Sequence, residues 1–286
     1  MSIQHRKFWH VAGIVSVFAI ALIWMIPFFW MLRSALMDMI QIFKYPLVVF
    51  PSPVRWENFG NALTSLPFFD YIRNSFTIVI ACVAGIVISC SLSAYGFSRI
   101  HWKGRDVVFY ILMTSIMLPY FATLIPNFIM WSKLGLTNTY VPLILPSWFG
   151  VGTASVFGGG MFNIFLLRQF FRTLPQELDE AAFVDGAGHI TIFLRIIVPL
   201  SKPSIICVGL FTFLNTWNDL INPLIYLSKE SKYTIQLGLR TFIGMYNAQW
   251  HYLMAAAVFA IVPVLILFLF GQRYFVEGIA TVGLKG

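Results

Sequence analysis

Polar side chains recur at helical spacing inside an apolar stretch that covers residues 203–227. Asn215, Asn218, Asp219 and Asn222 occupy positions i, i+3, i+4 and i+7, with Trp217 beside them, which predicts one shared helix face. Amide and carboxylate groups can hydrogen-bond sugar hydroxyls, and an indole ring can stack on a pyranose. Hydrogen bonding to a neighbouring helix is the alternative interpretation of the same face.

A second pair of polar residues, Tyr120 and Asn127, lies in an apolar stretch that contains two prolines. Pro119 and Pro126 predict kinks in that stretch, because proline removes a backbone donor and clashes with the preceding helical turn. Tyr120 and Asn127 are therefore further candidates for residues that line a solute pathway.

The segment 168–202 differs from every other loop in its acidic residues and predicts two short helices. Its acidic residues are Glu177, Asp179, Glu180 and Asp185. Acids favour the N-terminus of a helix, and Gly186 suits the left-handed turn that ends one. An apolar stripe from Ile192 to Ile197, before Pro199, predicts the second helix. A helix pair that only shields the base of a bundle is the alternative to a functional element.

The first of these two helices carries a face of small side chains. Leu178, Ala181, Ala182 and Asp185 follow the spacing i, i+3, i+4 and i+7. Such a face would let another protein approach closely, which favours an interaction surface.

The rest of the sequence lacks the patterns of an enzyme. No G-x-x-x-x-G-K-[ST] loop is present, so we expect the chain not to hold ATP through that motif. The histidines, at positions 5, 10, 101, 189 and 251, are isolated and predict no metal site. Cys82, Cys90 and Cys207 lie in apolar stretches without C-x-x-C spacing, which predicts buried thiols.

The composition indicates a membrane protein. Of the 286 residues, 59% are apolar and only 10% are charged, and the mean hydropathy is +0.80. Soluble domains are about 45–50% apolar and about 25% charged. The net charge of +8 is spread between apolar stretches, which favours contact with anionic lipid headgroups and a role in loop topology over a single nucleic-acid-binding patch.

Six stretches are long and apolar enough to be membrane spans, so we expect an all-α membrane protein with six transmembrane helices in one domain covering residues 1–286. The expected spans are residues 11–32, 74–95, 107–130, 142–167, 203–227 and 252–270. The first stretch is too long for the apolar part of a signal peptide and predicts a retained anchor helix.

The distribution of basic residues predicts the orientation. With the N-terminus inside, eleven of the nineteen Lys and Arg residues lie on the inner side and eight on the outer side. Both termini are then expected to be cytoplasmic, and segment 168–202 becomes a cytoplasmic loop.

The residues of that loop resemble a known motif. Glu180-Ala181-Ala182, Gly186 and the stretch from Ile196 to Pro199 resemble the EAA motif of ABC-importer permease subunits, E-A-A-x3-G-x9-I-x-L-P. Val198 in place of leucine is the one departure. Other stretches resemble the six-span partner of the carbohydrate, maltose-type branch. These are Phe165 to Phe171, Asp185-Gly186-Ala187, Trp217-Asn218-Asp219 and Gln272 to Gly278.

This resemblance implies a permease that forms half of a translocation pathway and is not itself an enzyme. The implied partners are a second permease subunit, a dimer of ATP-binding subunits that hold ATP and Mg, an external solute-binding protein and a carbohydrate. The implied location is the cytoplasmic membrane of a bacterium or an archaeon. The residues that the resemblance assigns to contact with the ATPase are Glu180, Ala181, Ala182, Asp185, Gly186 and Pro199.

Two alternatives remain open at this point. An ABC importer for glycerol phosphate, an amino acid or a peptide is the nearer one. A secondary carrier working alone is the more distant one, since inverted repeats and coupling-ion residues are not found in the sequence.

A glycine-rich segment departs from the pattern of the family. It includes Gly150, Gly152 and Gly158-Gly159-Gly160, between Leu145-Pro146 and the stretch that begins at Phe165. A bend that widens the pathway and close packing against the partner subunit are both consistent with it.

Overall fold

The computed structural model describes residues 3–149, 160–244 and 248–283. These residues form helices and the loops between them, and their single β-bridge pairs Ile243 with Ala248. The chain divides into two compact units, Met1–Pro67 with Leu239–Val262 and Phe68–Gly238 with Pro263–Gly286.

The first unit begins with a long apolar helix. Its helices before residue 68 are α1 (Ile3–Ala35), α2 (Met39–Ile42) and α3 (Glu57–Thr64). From Ala12 to Ala35 the apolar side chains of α1 are exposed within this chain on nearly every side, as expected of a helix that faces lipid or a partner. Asn58 closes the end of α1 by donating its side-chain amide to the carbonyls of Ala35 and Met37, at 2.9 and 2.8 Å.

The second unit contains most of the remaining helices. In chain order these are α4 (Phe68–Ser98), α5 (Arg105–Met113), α6 (Tyr120–Lys133), α7 (Val141–Trp148), α8 (Gly160–Thr173), α9 (Glu177–Val184), α10 (His189–Ile192), α11 (Val198–Leu200), α12 (Lys202–Trp217), α13 (Ile221–Tyr226), α14 (Ile235–Thr241) and α15 (Trp250–Gly283). Helices α14 and α15 each begin in one unit and end in the other. Short 3₁₀ turns cover Thr114–Met117 and Glu230–Lys232, and a π-helical turn covers Phe193–Ile197.

The core of the second unit lies between α4, α8 and the helices of segment 168–202. Its buried members include Ile86, Cys90, Leu167, Phe171, Ile192 and Ile197. All three cysteines are buried free thiols, as the sequence predicts.

Three of the expected spans are single helices. Residues 74–95 and 252–270 lie within Phe68–Ser98 and Trp250–Tyr274, and residues 11–32 overlap Ala12–Ala35 in all but the first position. Each of these helices is long and apolar enough to cross a membrane. The helices extend beyond the predicted boundaries because a hydropathy pattern ends where polar residues begin, whereas the helix continues.

The third expected span, residues 107–130, is sharply broken. Arg105–Met117 and Tyr120–Lys133 meet at an angle of 95°. Leu118 has an extended ψ of 119°, because the residue before a proline avoids the helical region. The kink predicted at Pro119 is confirmed, while Pro126 lies inside α6.

The fourth and fifth expected spans are not single continuous helices, so as membrane spans they stay predictions. In residues 142–167, α7 ends at Trp148 and α8 begins at Gly160. Gly150, Gly152, Gly158 and Gly159 lie outside the described residues. In residues 203–227, α12 ends at Trp217 and α13 begins at Ile221. Pro223 cannot donate to the carbonyl of Asp219, so a continuous helix through both positions is disfavoured.

The number of spans stays a prediction. Within the described residues, three helices meet the length and hydropathy of a span, or five if each bent pair is counted. The second bent pair joins His189–Leu200 to Lys202–Trp217 at 79°. The segment expected to be a loop from residue 168 begins as helix, because α8 continues to Thr173 and buries Arg168.

Candidate functional site

Residues 177–200, which we call the knob, fold as a helix, a glycine turn and a second helix, as the sequence predicts. Helix α9 ends at Val184, and Gly186 has a φ of +80°, a left-handed value that favours glycine. A side-chain Cβ at Gly186 would meet no atom within 4 Å, so its cost would be conformational and not steric crowding.

The second knob helix is longer than predicted. It begins at His189, passes through the π-helical turn Phe193–Ile197 and ends at Leu200, so Pro199 lies inside it. Pro199 has no backbone N–H to donate to the carbonyl one turn earlier, and the wider π-helical turn before it accommodates the missing hydrogen bond.

The outer surface of the knob carries most of the predicted contact residues. Glu180, Ala181, Asp185, Gly186 and Pro199 are exposed. Ala182 is half-buried and packs against the core, so the predicted small-residue face is divided between the surface and the interior. The exposed side chains are available to another protein.

A buried arginine holds the knob to the end of α4, and the sequence analysis did not identify it. The Arg99 guanidinium donates to the carbonyls of Phe171 and Leu174 at 2.6 and 2.7 Å and to the Asp179 carboxylate at 3.1 Å. The side chains of Arg99 and Asp179 are only 3% and 13% exposed. A lone arginine directly after a long apolar helix was the available signal, but its partners become visible only in the fold.

A second buried arginine connects α8 to α5. Arg168 donates to the Phe97 carbonyl at 3.0 Å and to the Asp106 carboxylate at 2.7 Å, and its guanidinium lies 4.0 Å from the centre of the Phe109 ring. Charge-assisted bonds and the cation–π contact together satisfy a charge that burial would otherwise penalise.

A cavity of about 300 Å³ lies between α4, α6, α7, α12 and α13. Trp148 holds α7 against α4 by donating to the Ala81 carbonyl at 3.0 Å. Gly85 permits this approach, since a Cβ there would overlap the Trp148 ring.

One wall of the cavity brings together three of the predicted pathway residues. The Tyr120 hydroxyl donates to Asn222 Oδ1 at 2.6 Å, and Asn222 Nδ2 donates to Asp219 Oδ2 at 2.7 Å. The Asn222 backbone N–H donates to Asp219 Oδ1 at 3.2 Å, so the carboxylate also satisfies the first turn of α13. All three side chains line the cavity, together with Asn127.

The other three predicted pathway residues do not line this cavity. Asn215 donates to the Phe211 carbonyl of its own helix at 2.8 Å, and Asn218 is exposed beyond the end of α12. Trp217 is buried with its ring stacked on Phe213, 5.7 Å between centroids. The prediction of one shared face is wrong because the helix ends before Asn218.

Aromatic residues of the cavity were missed by the sequence analysis. Phe149, Trp131 and Tyr226 line it beside the polar wall. They come from three different helices or helix ends, so no spacing along the chain could connect them.

A loop of residues 227–234, which we call the roof loop, is fixed above one end of α4. Asn138 Oδ1 accepts from the backbone N–H groups of Ser228 and Lys229 at 3.2 and 3.0 Å. Asn74 Nδ2 donates to the carbonyls of Ser231 and Tyr233 at 2.9 and 3.1 Å. The Ser75 hydroxyl accepts from the N–H of Ile235, directly after the loop.

The cavity and the knob lie towards opposite ends of α4. Ser75, near the start of this helix, lines the cavity, whereas Arg99 follows its last residue and contacts the knob. At about 1.5 Å per residue, the helix between these two positions is about 35 Å long.

The class of protein is shown by comparison with known families. The chain belongs to the family of binding-protein-dependent transport system inner membrane components, whose family model matches residues 81–281. It is therefore a multi-pass membrane protein and a transport subunit, and its resemblance to ABC-importer permeases is confirmed.

Individual relatives share about a third of the sequence over most of its length. The chain is 33% identical to the probable ABC transporter permease protein YurM of Bacillus subtilis, over 98% of this chain and 91% of the relative. It is 32% identical to the sn-glycerol-3-phosphate transport system permease protein UgpE of Yersinia pestis, over 97% and 98%. It is also 32% identical to the arabinooligosaccharides transport system permease protein AraQ of Halalkalibacterium halodurans, over 84% and 83%.

The fold matches a chain of a solved transporter. In the crystal structure of a bacterial ABC transporter that imports the acidic polysaccharide alginate, one chain aligns with a TM-score of 0.78 at 21% identity, covering 96% of this chain and 99% of that one. A chain from the alginate transporter bound to its pentasaccharide-loaded periplasmic protein aligns with a TM-score of 0.62 at 17% identity, covering 94% and 95%.

Proposed function

We propose that this chain is the membrane-spanning permease subunit of an ATP-driven carbohydrate importer. It forms half of the translocation pathway beside a second permease subunit and moves between inward- and outward-open states. The observation that carries the proposal is the pairing, on one long helix, of an exposed knob at one end with a polar and aromatic cavity towards the other.

The knob is the proposed contact with a dimer of ATP-binding subunits, which bind the ATP and Mg. Glu180 is exposed on α9, where its carboxylate is available to pair with a basic side chain of the ATPase. Ala181 and Asp185 extend the same surface, and Gly186 and Pro199 shape the two helices that present it. A charge-assisted contact of this type contributes about 1.5–3 kcal/mol.

A carbohydrate is the solute that the cavity supports best. Trp131 and Tyr226 line the cavity together with the hydrogen-bonding wall of Tyr120, Asp219 and Asn222. This combination suits a sugar ring, which has apolar faces and a hydroxyl-bearing edge. AraQ, by its name, transports arabinooligosaccharides, which is consistent with this class.

Glycerol phosphate is the second candidate solute, and the identity with UgpE favours it. A phosphate needs cationic or N–H donors around it. The charge of the cavity therefore decides between the two candidates.

The proposed orientation places the knob and both termini in the cytoplasm. Because the roof loop lies at the other end of α4, it then faces the exterior, where an external solute-binding protein docks. We expect the segment from Ser228 to His251 to crosslink to that protein.

The experiment that tests the proposal is reconstitution of the chain in lipid, alone and with the other subunits. The chain alone should hydrolyse no ATP, because it lacks a phosphate-binding loop. The complete importer should hydrolyse ATP faster when the loaded binding protein is added and should accumulate carbohydrate. Transport by the isolated chain would contradict the proposal and favour a secondary carrier.

A further inference from the structure

We infer that the cavity admits neutral, hydroxyl-bearing solutes and rejects anions, because the described residues that line it include one carboxylate and no cationic side chain. The inference rests on the proposed function and narrows its solute class to uncharged sugars. It separates this chain from permeases whose solutes carry phosphate or carboxylate groups.

The charge of the lining supports this selectivity. Asp219 is the acidic residue among the described residues that line the cavity, and none of those lining residues is Lys, Arg or His. Lys232 of the roof loop donates instead to the Asn138 carbonyl at 2.6 Å. An anion entering the cavity would lose its water beside a carboxylate and gain no opposite charge.

The hydrogen-bonding wall is also better matched to hydroxyl groups than to anions. Tyr120 uses its O–H on Asn222, and Asn222 uses a side-chain N–H on Asp219. A carboxylate has about four acceptor sites, so Asp219 keeps capacity for donors in the cavity. Sugar hydroxyls provide such donors, whereas a phosphate or an ionised carboxylate provides only acceptors.

The dimensions of the cavity agree with a small part of a carbohydrate. At about 300 Å³, it lies at the lower limit of small-molecule sites, which is about 300 Å³. Trp131 and Tyr226 offer apolar surface to the sugar faces beside the polar wall.

The test uses thiol reagents of opposite charge, so it needs no knowledge of the natural sugar. Asn127→Cys places a thiol in the lining, and the complete importer carrying it is treated with a trimethylammonium-ethyl or a sulfonato-ethyl methanethiosulfonate. The native cysteines are buried, and the importer without the new thiol gives the background. The reaction rate of each reagent with the new thiol is divided by its rate with a small free thiol, which removes the difference in intrinsic reactivity between the reagents.

We expect the cationic reagent to react at least about tenfold faster than the anionic one, since charged clefts change local ion concentrations by about 10–10³-fold. In the Asp219→Asn background the ratio of the cationic to the anionic reaction rate should fall to within about twofold of unity, because the charge that attracts the cation is gone. The matched control is Asn215→Ala, which removes an amide of α12 outside the lining and should leave the ratio unchanged.

An anionic reagent that reacts as fast as the cationic one overturns the inference. A ratio of the two rates that stays the same in Asp219→Asn also overturns it. Failure of every reagent to reach Asn127→Cys also overturns it, because a solute could not enter either. These results leave carbohydrate import by the complete importer intact, so uptake measured on the same preparation separates failure of the inference from failure of the proposed function. Should the importer move no carbohydrate, both fall.

Discussion

Gly186 is the residue whose backbone conformation the knob most depends on. Its φ of +80° is in the left-handed region, whereas Gly188, two residues later, has a φ of −82°. Neither position would crowd a Cβ, so the two glycines differ only in conformation.

We expect Gly186→Ala to destabilise the knob by about 1 kcal/mol, and Gly186→Val by more, because left-handed backbone penalises a Cβ. Gly188→Ala should be tolerated and is the matched control. The measurement is co-purification of the ATP-binding subunits with each membrane-inserted variant. Equal retention by Gly186→Val and Gly188→Ala would contradict the role of the turn.

Arg99 is the second residue on which the position of the knob depends. Replacing it with alanine leaves the Asp179 carboxylate and the carbonyls of Phe171 and Leu174 without their donor. Breaking a buried ion pair costs about 3–5 kcal/mol.

Arg99→Ala should therefore lower the ratio of solute imported to ATP hydrolysed, and Arg99→Lys should restore part of it. Arg172→Ala, an exposed arginine at the end of α8, is the control and should leave the ratio unchanged. If the Arg99→Ala variant transports with a normal ratio of solute to ATP, movement of the knob does not reach α4 through the Arg99 contact.

At the scale of elements, the roof loop is fixed by side chains of α4 and by Asn138, which lies between α6 and α7. Asn138 has a φ of 57°, the one positive value among non-glycine residues in the described part of the chain. Its side chain also accepts from Ser228 and Lys229.

Asn138→Gly and Asn138→Ala should both speed hydrogen exchange of the Ser228 and Lys229 amides, because both remove the acceptor. Only alanine should add conformational strain, of about 1 kcal/mol. Hydrogen exchange of the two variants in lipid measures this. Protection that survives in Asn138→Gly would show that the backbone holds the loop without the side chain.

The continuous elements were predictable from the sequence, and the broken ones were not. The spans that became α1, α4 and α15 are single helices, and the knob has the predicted turn at Gly186. Residues 203–227 form one apolar segment in a hydropathy pattern, because the hydropathy of a stretch is the same whether its helix is continuous or interrupted. Arg99 was missed for a related reason, since its partners at 171, 174 and 179 approach it only through tertiary packing.

The candidate cavity was half predicted. Tyr120, Asp219 and Asn222 meet at one wall because α12 ends early and turns Asp219 towards α13. That same break removes Asn218 from the predicted face. Trp131 and Tyr226 could not be connected to the wall by any spacing along the chain.

At the scale of the whole molecule, α4 connects the two proposed functions. Its first turns carry residues that fix the roof loop and line the cavity, and Arg99 beyond its end fixes the knob. Movement imposed on the knob by an ATPase would therefore reach the solute cavity through one packed helix. ATP hydrolysis and solute movement would then be connected through Glu180, which is exposed on α9.

ATP-driven uptake of carbohydrate by vesicles that contain the complete importer is the most direct test of that claim. Glu180→Ala should lower the uptake about tenfold, equivalent to the loss of about 1.5 kcal/mol from one charge-assisted contact. Glu177→Ala, which removes an exposed acid from the same helix, should leave uptake within about twofold, as for most surface substitutions. Normal uptake in Glu180→Ala, or uptake that proceeds without ATP, would contradict the account.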